Sequence, residues 1–181
     1  LEEHKEKYGI RGVHILPSPY GLAPNDRWFY PLFAKCVELD LFVFTYIGMP
    51  GPLWPTHPNY PLHLDDVCLA FPELTVVGHH IGDPWVGMMT HLAAKHQNLY
   101  ICTSAWSPKR YPKELLEFMN GRWHAQAGAD KVIFGTDYPL INLSKAVTDA
   151  RNLDLPEDVI EKFMYSNMKR ILDAQDERAG K

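Results

Sequence analysis

Two short segments carry side chains fit for metal or proton chemistry. One is Gly78-His79-His80-Ile81-Gly82-Asp83-Pro84-Trp85, and the other is Phe134-Gly135-Thr136-Asp137-Tyr138-Pro139. Imidazole nitrogen and carboxylate oxygen are donors that a borderline cation such as zinc or manganese accepts. An aspartate beside such an ion can take a proton from bound water, whose pKa the ion lowers. Structural roles compete with this reading. A strand-end histidine often serves as a hydrogen-bonded packing residue, and Asp137 could cap a following helix. If the first segment is extended, side chains alternate in direction, so His79 is expected to face away from His80.

Both segments follow runs that read as strands. Five such runs stand out: Val13–Leu16, Phe42–Tyr46, Leu74–Gly78, Leu99–Thr103 and Lys131–Phe134. Each is nearly continuous in apolar character, the pattern of strands buried on both faces of a parallel sheet. Helical patterns lie between them. One covers residues 28–39, with Asn25 or Asp26 as cap and Pro31 in its first turn. Another covers residues 62–71, and further helices open at Pro84, Pro112 and Pro156. Alternating strands and helices predict an α/β fold, whose ligands sit at the carboxyl ends of the strands. The histidine and the aspartate therefore emerge at the same end of one sheet. Successive strands start about 30 residues apart, against roughly 31 per unit in a (β/α)8 barrel. Five units fill the chain, so a closed barrel would lack three, on the order of 90 residues. An open doubly wound sheet would lack none. The stretch Gly48–Pro61 holds five prolines and reads as an ordered functional loop. The polar segment after Asp173 is expected to fray.

Composition sets outer limits. The 181 residues carry a formal net charge of −4, with 46% hydrophobic side chains. That suits one globular core and gives no basic run for nucleic acid. No apolar stretch approaches the roughly 18 residues of a membrane helix, and the opening LEEHKEKYG lacks a signal-peptide apolar region. Cys36, Cys68 and Cys102 form no CxxC pair and sit among apolar neighbours. They are expected to be buried small hydrophobes in a protein of the reducing cytoplasm. No G-x-S-x-G elbow, G-x-G-x-x-G or Walker loop occurs, against an α/β hydrolase or a nucleotide cofactor.

Four motifs together have a familiar order: HHIGDPW, KHQNLYICTSAW, KVIFGTDYP and YSNMKRIL. With GIRGVHILPS and FAKCVELDLFVF upstream, the chain from Gly9 to Leu172 resembles the amidohydrolase-related family. The branch is amidohydrolase-2, which includes aminocarboxymuconate-semialdehyde decarboxylase-like enzymes. The resemblance implies a (β/α)8 TIM-barrel-like fold that lacks its first three βα units here. It places strands four to eight in residues 1–173, with a polar tail over 174–181. It also implies a divalent metal, zinc first and manganese second, and a small carboxylated or cyclic substrate. The reaction would be hydrolysis or non-oxidative decarboxylation, through metal-bound water and a strand-end aspartate.

Residue by residue, His80 matches the family's H-x-G histidine, which orients metal-bound water and substrate. Asp137 matches the eighth-strand aspartate, a metal ligand and proton shuttle. Both are carried as metal ligands and catalytic residues. Trp85 matches an aromatic that walls the pocket, with packing at a helix start as its alternative. His14 lies near a family basic residue and is a substrate-binding candidate. Asn167 matches an asparagine of the final helix and reads as structural.

Two departures matter. None of the five strand runs carries the H-x-H or E-x-H pair found on the family's first strand. Tyr46 stands where the fifth-strand histidine ligand is expected, and a phenol with a pKa of about 10 is a poor neutral ligand. Tyr46 is therefore assigned to substrate binding, and Met49 nearby is no substitute. His57 and His63 could approach the site from the following loop and helix. Two donors alone bind metal weakly, since tight sites commonly use three or four. The expectation is thus an enzyme whose site is incomplete in this chain. The alternative is a non-catalytic binding or assembly component on the same fold. Open sheet edges predict at least a homodimer.

Overall fold

The computed structural model describes residues 1–123, 126–178 and 180. Helix α1 (Glu2–Tyr8) leads into strand β1 (Gly12–Ile15), then the short α2 (Pro17–Tyr20) and α3 (Tyr30–Glu38). Strand β2 (Phe42–Tyr46) is followed by α4 (His63–Ala70), β3 (Val76–His79) and α5 (Val86–Lys95). Then come β4 (Leu99–Cys102), α6 (Lys113–Met119), and the two-residue strands β5 (Arg122–Trp123) and β6 (Gln126–Ala127). Strand β7 (Val132–Ile133) precedes α7 (Leu143–Arg151), α8 (Glu157–Glu161), a π-helical turn over Lys162–Ser166, and α9 (Asn167–Arg178).

The five expected runs all become strands of one parallel sheet in the order β1-β2-β3-β4-β7. Register pairs Val13 with Val43, Val43 with Val76, Val76 with Leu99 and Ile101 with Val132. These side chains face the helices and pack with Phe33, Leu64, Met89 and Leu115 in the main core. Their neighbours along each strand point the other way. Phe42, Val77, Cys102 and Ile133 form a second cluster on that inner face, with Ile171 of α9. His14, paired across to Phe44, lies on the same inner side.

Local chemistry accounts for the boundaries. Pro31 falls in the first turn of α3, where its missing N–H costs nothing. Asp26 does not cap that helix; its carboxylate accepts the Trp28 N–H in the turn before it. Asn142 caps α7 by accepting the Lys145 N–H at 2.9 Å. Asp137 is thereby relieved of the helix-cap role. All three cysteines are free and buried. Asn167 is fully buried, and its Nδ2 donates to Ala129 O and Val132 O, both at 2.7 Å, tying α9 to the start of β7.

The polar segment expected to fray after Asp173 is instead helical as far as Arg178. Gln175 is buried there and donates to the carbonyls of Arg11 and Asp40, while Arg178 pairs with the Asp40 carboxylate. These long-range bonds, invisible to composition, hold the segment. Residues 179 and 181 of that tail lie outside the described residues. No helix among the described residues is long and apolar enough to cross a membrane.

Lys131 is buried at the start of β7, with 2% of its surface exposed. Its Nζ donates to His96 O and Gln97 O, each at 2.9 Å, and lies 4.6 Å from the centre of the Tyr100 ring. Burial pushes its pKa down to about 8. Between pH 8 and the ordinary lysine value the unfolded chain holds a proton that the folded chain does not. The contribution of Lys131 to stability must therefore rise with pH across that window, by about 3 kcal/mol at most. Urea unfolding of wild type and Lys131→Met at pH 7.5 and pH 10 checks this. The wild type should gain relative to the variant at the higher pH; an unchanged difference would show that Lys131 stays charged in the fold.

Candidate active site

The strands end in an unusual way. Beyond β2, Gly48 has φ 104°; beyond β3, His80 and Ile81 have φ 65° and 55°. Beyond β4, Ala105 has φ 64°, and beyond β7, Asp137 has φ 56°. Each non-glycine residue in this region costs roughly 1–2 kcal/mol. Such strain clusters where function needs a side chain re-aimed. Here it turns the chain off the sheet at four neighbouring strand ends.

This geometry corrects one expectation. His80 is not extended, so it does not alternate with His79. Both imidazoles lie on the inner side, with ring centroids 5.4 Å apart. His79 is half-buried, 4.4 Å from the Phe44 ring and 4.8 Å from the His14 ring. Burial pushes its pKa down to about 3, with His14 and His80 adding to the effect, so it is a neutral packing residue.

His80 is buried. Its Nδ1 lies 3.0 Å from Ser104 O and 3.2 Å from Ser104 Oγ. A carbonyl can only accept, so Nδ1 carries the proton and Nε2 keeps a lone pair. Burial lowers the His80 pKa, against the opposing pull of the Ser104 bond and of Asp137. Gly135 makes room for this pairing. A Cβ there would lie 2.7 Å from Cys102 Sγ and 3.2 Å from Ser104 Cβ, forcing apart the two strand ends that present Ser104 and Asp137.

His80 and Asp137 line one cavity of about 480 Å³, together with His14, Tyr46, Asp83 and Trp106. His14 and Asp137 are exposed at its mouth. Burial and His80 lower the His14 pKa, while Asp137 raises it. Tyr46 is half-buried, its ring 4.2 Å from that of His80, and burial raises its pKa. Among the described residues no lysine or arginine lines the cavity.

Trp85 is not among the lining residues. It precedes α5 and packs edge-on against Tyr60 at 5.0 Å. Trp54 and Trp106 line the cavity instead. His57 and His63 meet edge to face at 5.2 Å and do not line it. Sequence reasoning passed over Asp83 and the two tryptophans. Asp83 lay in the same HHIGDPW motif, and Trp54 in the proline-rich loop already marked as functional.

The donors present fit a divalent ion in part. His80 Nε2 and the Asp137 carboxylate are of the right chemistry. Among the described residues, however, no group of three or more His, Cys, Asp or Glu side chains is placed to hold a metal.

The family model described as Amidohydrolase matches residues 1–174. An uncharacterized TIM-barrel protein from Bordetella bronchiseptica is similar at 30% identity and TM-score 0.83, over 96% of this chain and 60% of that one. A 2,6-dihydroxybenzoate decarboxylase from Rhizobium matches at 17% identity and TM-score 0.68, over 96% of this chain and 65% of that one. A dihydroxybenzoic acid decarboxylase from Polaromonas, solved with manganese and the inhibitor 2-nitroresorcinol, matches at 16% identity and TM-score 0.66, over 95% and 63%. The last two show likeness of fold. The chain spans 60–65% of the length of these solved structures. No curated protein matches it. The parallel sheet thus follows the TIM-barrel plan rather than the open doubly wound one.

The tautomer of His80 can be checked directly. Nitrogen-15 NMR at pH 7 should find a neutral ring with Nδ1 protonated and Nε2 bare. A neutral ring protonated on Nε2 would mean that the Ser104 carbonyl does not hold the imidazole.

Proposed function

Because the chain belongs to the amidohydrolase family, we propose that it acts as a metal-dependent enzyme on a small carboxylated aromatic substrate. Non-oxidative decarboxylation is the preferred reaction and hydrolysis the alternative. The observation that carries this reading is the convergence of His80 and Asp137 on one aromatic-walled cavity at the carboxyl ends of the strands. The two decarboxylases that share its fold act on dihydroxybenzoates, and one of them holds manganese.

Asp137 and His80 would hold the divalent ion, manganese or zinc, with further donors from outside the described residues. When bound, the ion supplies positive charge for the substrate carboxylate or a neighbouring hydroxyl. This chain's own side chains do the rest. Trp54 and Trp106 enclose the ring. His14 at the mouth and Tyr46 on the floor contact the substrate's polar edge. Asp137, once it has taken a proton from the substrate's acidic group or from water, delivers that proton to the ring carbon as its bond to the carboxylate breaks. The bonding pair stays on that carbon and forms the new C–H bond, and carbon dioxide leaves. In the hydrolytic alternative Asp137 instead takes a proton from the attacking water. His80 Nε2, unprotonated because Nδ1 carries the ring proton, would give its lone pair to the ion and is not the acid.

Two lesser readings belong to the same proposal. Among the described residues the outer edges of β1 and β7 are unpaired within the sheet, and a homodimer would cover them. Three free buried cysteines fit a reducing cytoplasm.

A second reading has one observation in its favour. Tyr46 occupies a position where a ligand was expected, so the fold could serve binding or assembly without catalysis. Metal analysis separates the two, since negligible manganese and zinc after supplementation would favour the non-catalytic component. The catalytic reading predicts manganese-dependent release of carbon dioxide from 2,6-dihydroxybenzoate or a related carboxylated phenol. Asp137→Asn should lower the rate by about 10²–10⁴ with an unchanged circular dichroism spectrum. Undiminished turnover in that variant would remove Asp137 from the mechanism. Metal-loaded protein inert toward carboxylated phenols and lactones would remove the enzymatic reading.

A further inference from the structure

Tyr46 serves two different elements through two different parts of its side chain. Its ring packs on the His80 imidazole, with centroids 4.2 Å apart and planes tilted by 50°. Its hydroxyl oxygen accepts the Gly51 N–H at 3.3 Å and reaches toward Met49 O at 3.5 Å. Gly51 belongs to the proline-rich loop that also carries Trp54, a lining residue of the cavity.

The start of that loop is pinned to the site by its backbone. Gly48 N–H donates to Asn59 O at 2.9 Å, and Met49 N–H donates to Asp83 O at 2.8 Å. A Cβ on Gly48 would lie 2.5 Å from Asp83 O, and its φ of 104° already excludes most side chains. The far side is held by Ser18 Oγ, which donates to Pro55 O at 2.7 Å. The crest between these points contains Leu53, which is fully exposed, and Trp54, which bonds Pro52 O within the loop itself. The Gly51–Tyr46 bond is what joins the rising limb of the crest to the strand beneath it.

We infer that Tyr46 is a positioning residue that couples this loop to His80, its ring setting the plane of the imidazole and its hydroxyl setting the height of the loop. One side chain thus places both the loop wall that carries Trp54 and the imidazole face of the cavity, each through its own part. The inference rests on the proposed function only in treating His80 as a working imidazole. Its test needs no turnover, so the two can fail separately.

The test uses the full chain, labelled with nitrogen-15. Tyr46→Phe removes the hydroxyl and keeps the ring. Fast amide exchange by NMR should then find Gly51 exchanging at least fivefold faster, while Gly48 and Met49 stay within twofold of wild type. The His80 ring-proton resonances should not move in this variant. Tyr46→Leu removes the ring as well. It should speed Gly51 in the same way and also shift the His80 ring protons, because the ring current is lost. If Tyr46→Leu does not fold, Tyr46→Met serves the same purpose with a closer volume. Unchanged Gly51 exchange in Tyr46→Phe would overturn the inference, as would equal acceleration of all three amides. So would His80 resonances that ignore removal of the ring.

Discussion

The site depends on a backbone constraint: left-handed residues at adjacent strand exits. A parallel strand left to itself alternates its side chains and would send neighbouring residues to opposite faces. By entering the left-handed region at His80, Ala105 and Asp137, the chain leaves the sheet and aims side chains across its end. The cost, roughly 1–2 kcal/mol for each such residue, has to be offset by packing nearby. Ile81, in the same conformation, is wholly buried in the main core. Gly135 lets β7 leave in contact with Cys102 and Ser104. Core and site are therefore one structure here. A side chain added under the strand ends disturbs the same carbonyl that holds His80.

Charge in the cavity follows from what that arrangement exposes. Asp83 and Asp137 bring carboxylates, and no lysine or arginine lines the space among the described residues. The imidazoles do not compensate. His14 and His80 are both shifted toward the neutral form by burial. A cavity of this make-up attracts a cation and repels a free carboxylate. A carboxylated substrate would enter favourably only when positive charge is already present. That links the proposed metal to the proposed substrate class by electrostatics.

Much of this was legible in the residues. Five runs rich in β-branched and aromatic side chains became the five strands, because strands buried on two faces leave a continuous apolar signature. The strand-end rule then put His80 and Asp137 on one rim. What sequence could not supply was any feature set by a single dihedral or a distant carbonyl. The sidedness of His79 failed because alternation assumes an extended chain, and His80 is not extended. Trp85 was expected to wall the pocket, yet the geometry at the start of α5 turns it onto Tyr60. Lys131 read as the polar start of a strand, but the carbonyls of His96 and Gln97 make its burial tolerable. The tail after Asp173 looked free because Arg11 and Asp40, its partners, lie more than a hundred residues away.

The replacement of an expected imidazole by Tyr46 changes how His80 is held. In a metal centre with a full set of ligands, the ion itself fixes the direction of each imidazole. A phenol whose pKa is raised by burial gives up its proton reluctantly and contributes little to such a set. It offers a ring face instead, 4.2 Å from the imidazole, while the Ser104 carbonyl holds Nδ1 from the other side. His80 is thus oriented by protein contacts before any ion arrives, and its free Nε2 has one direction in which to bind. A donor fixed in advance loses less conformational freedom on binding an ion such as the one proposed.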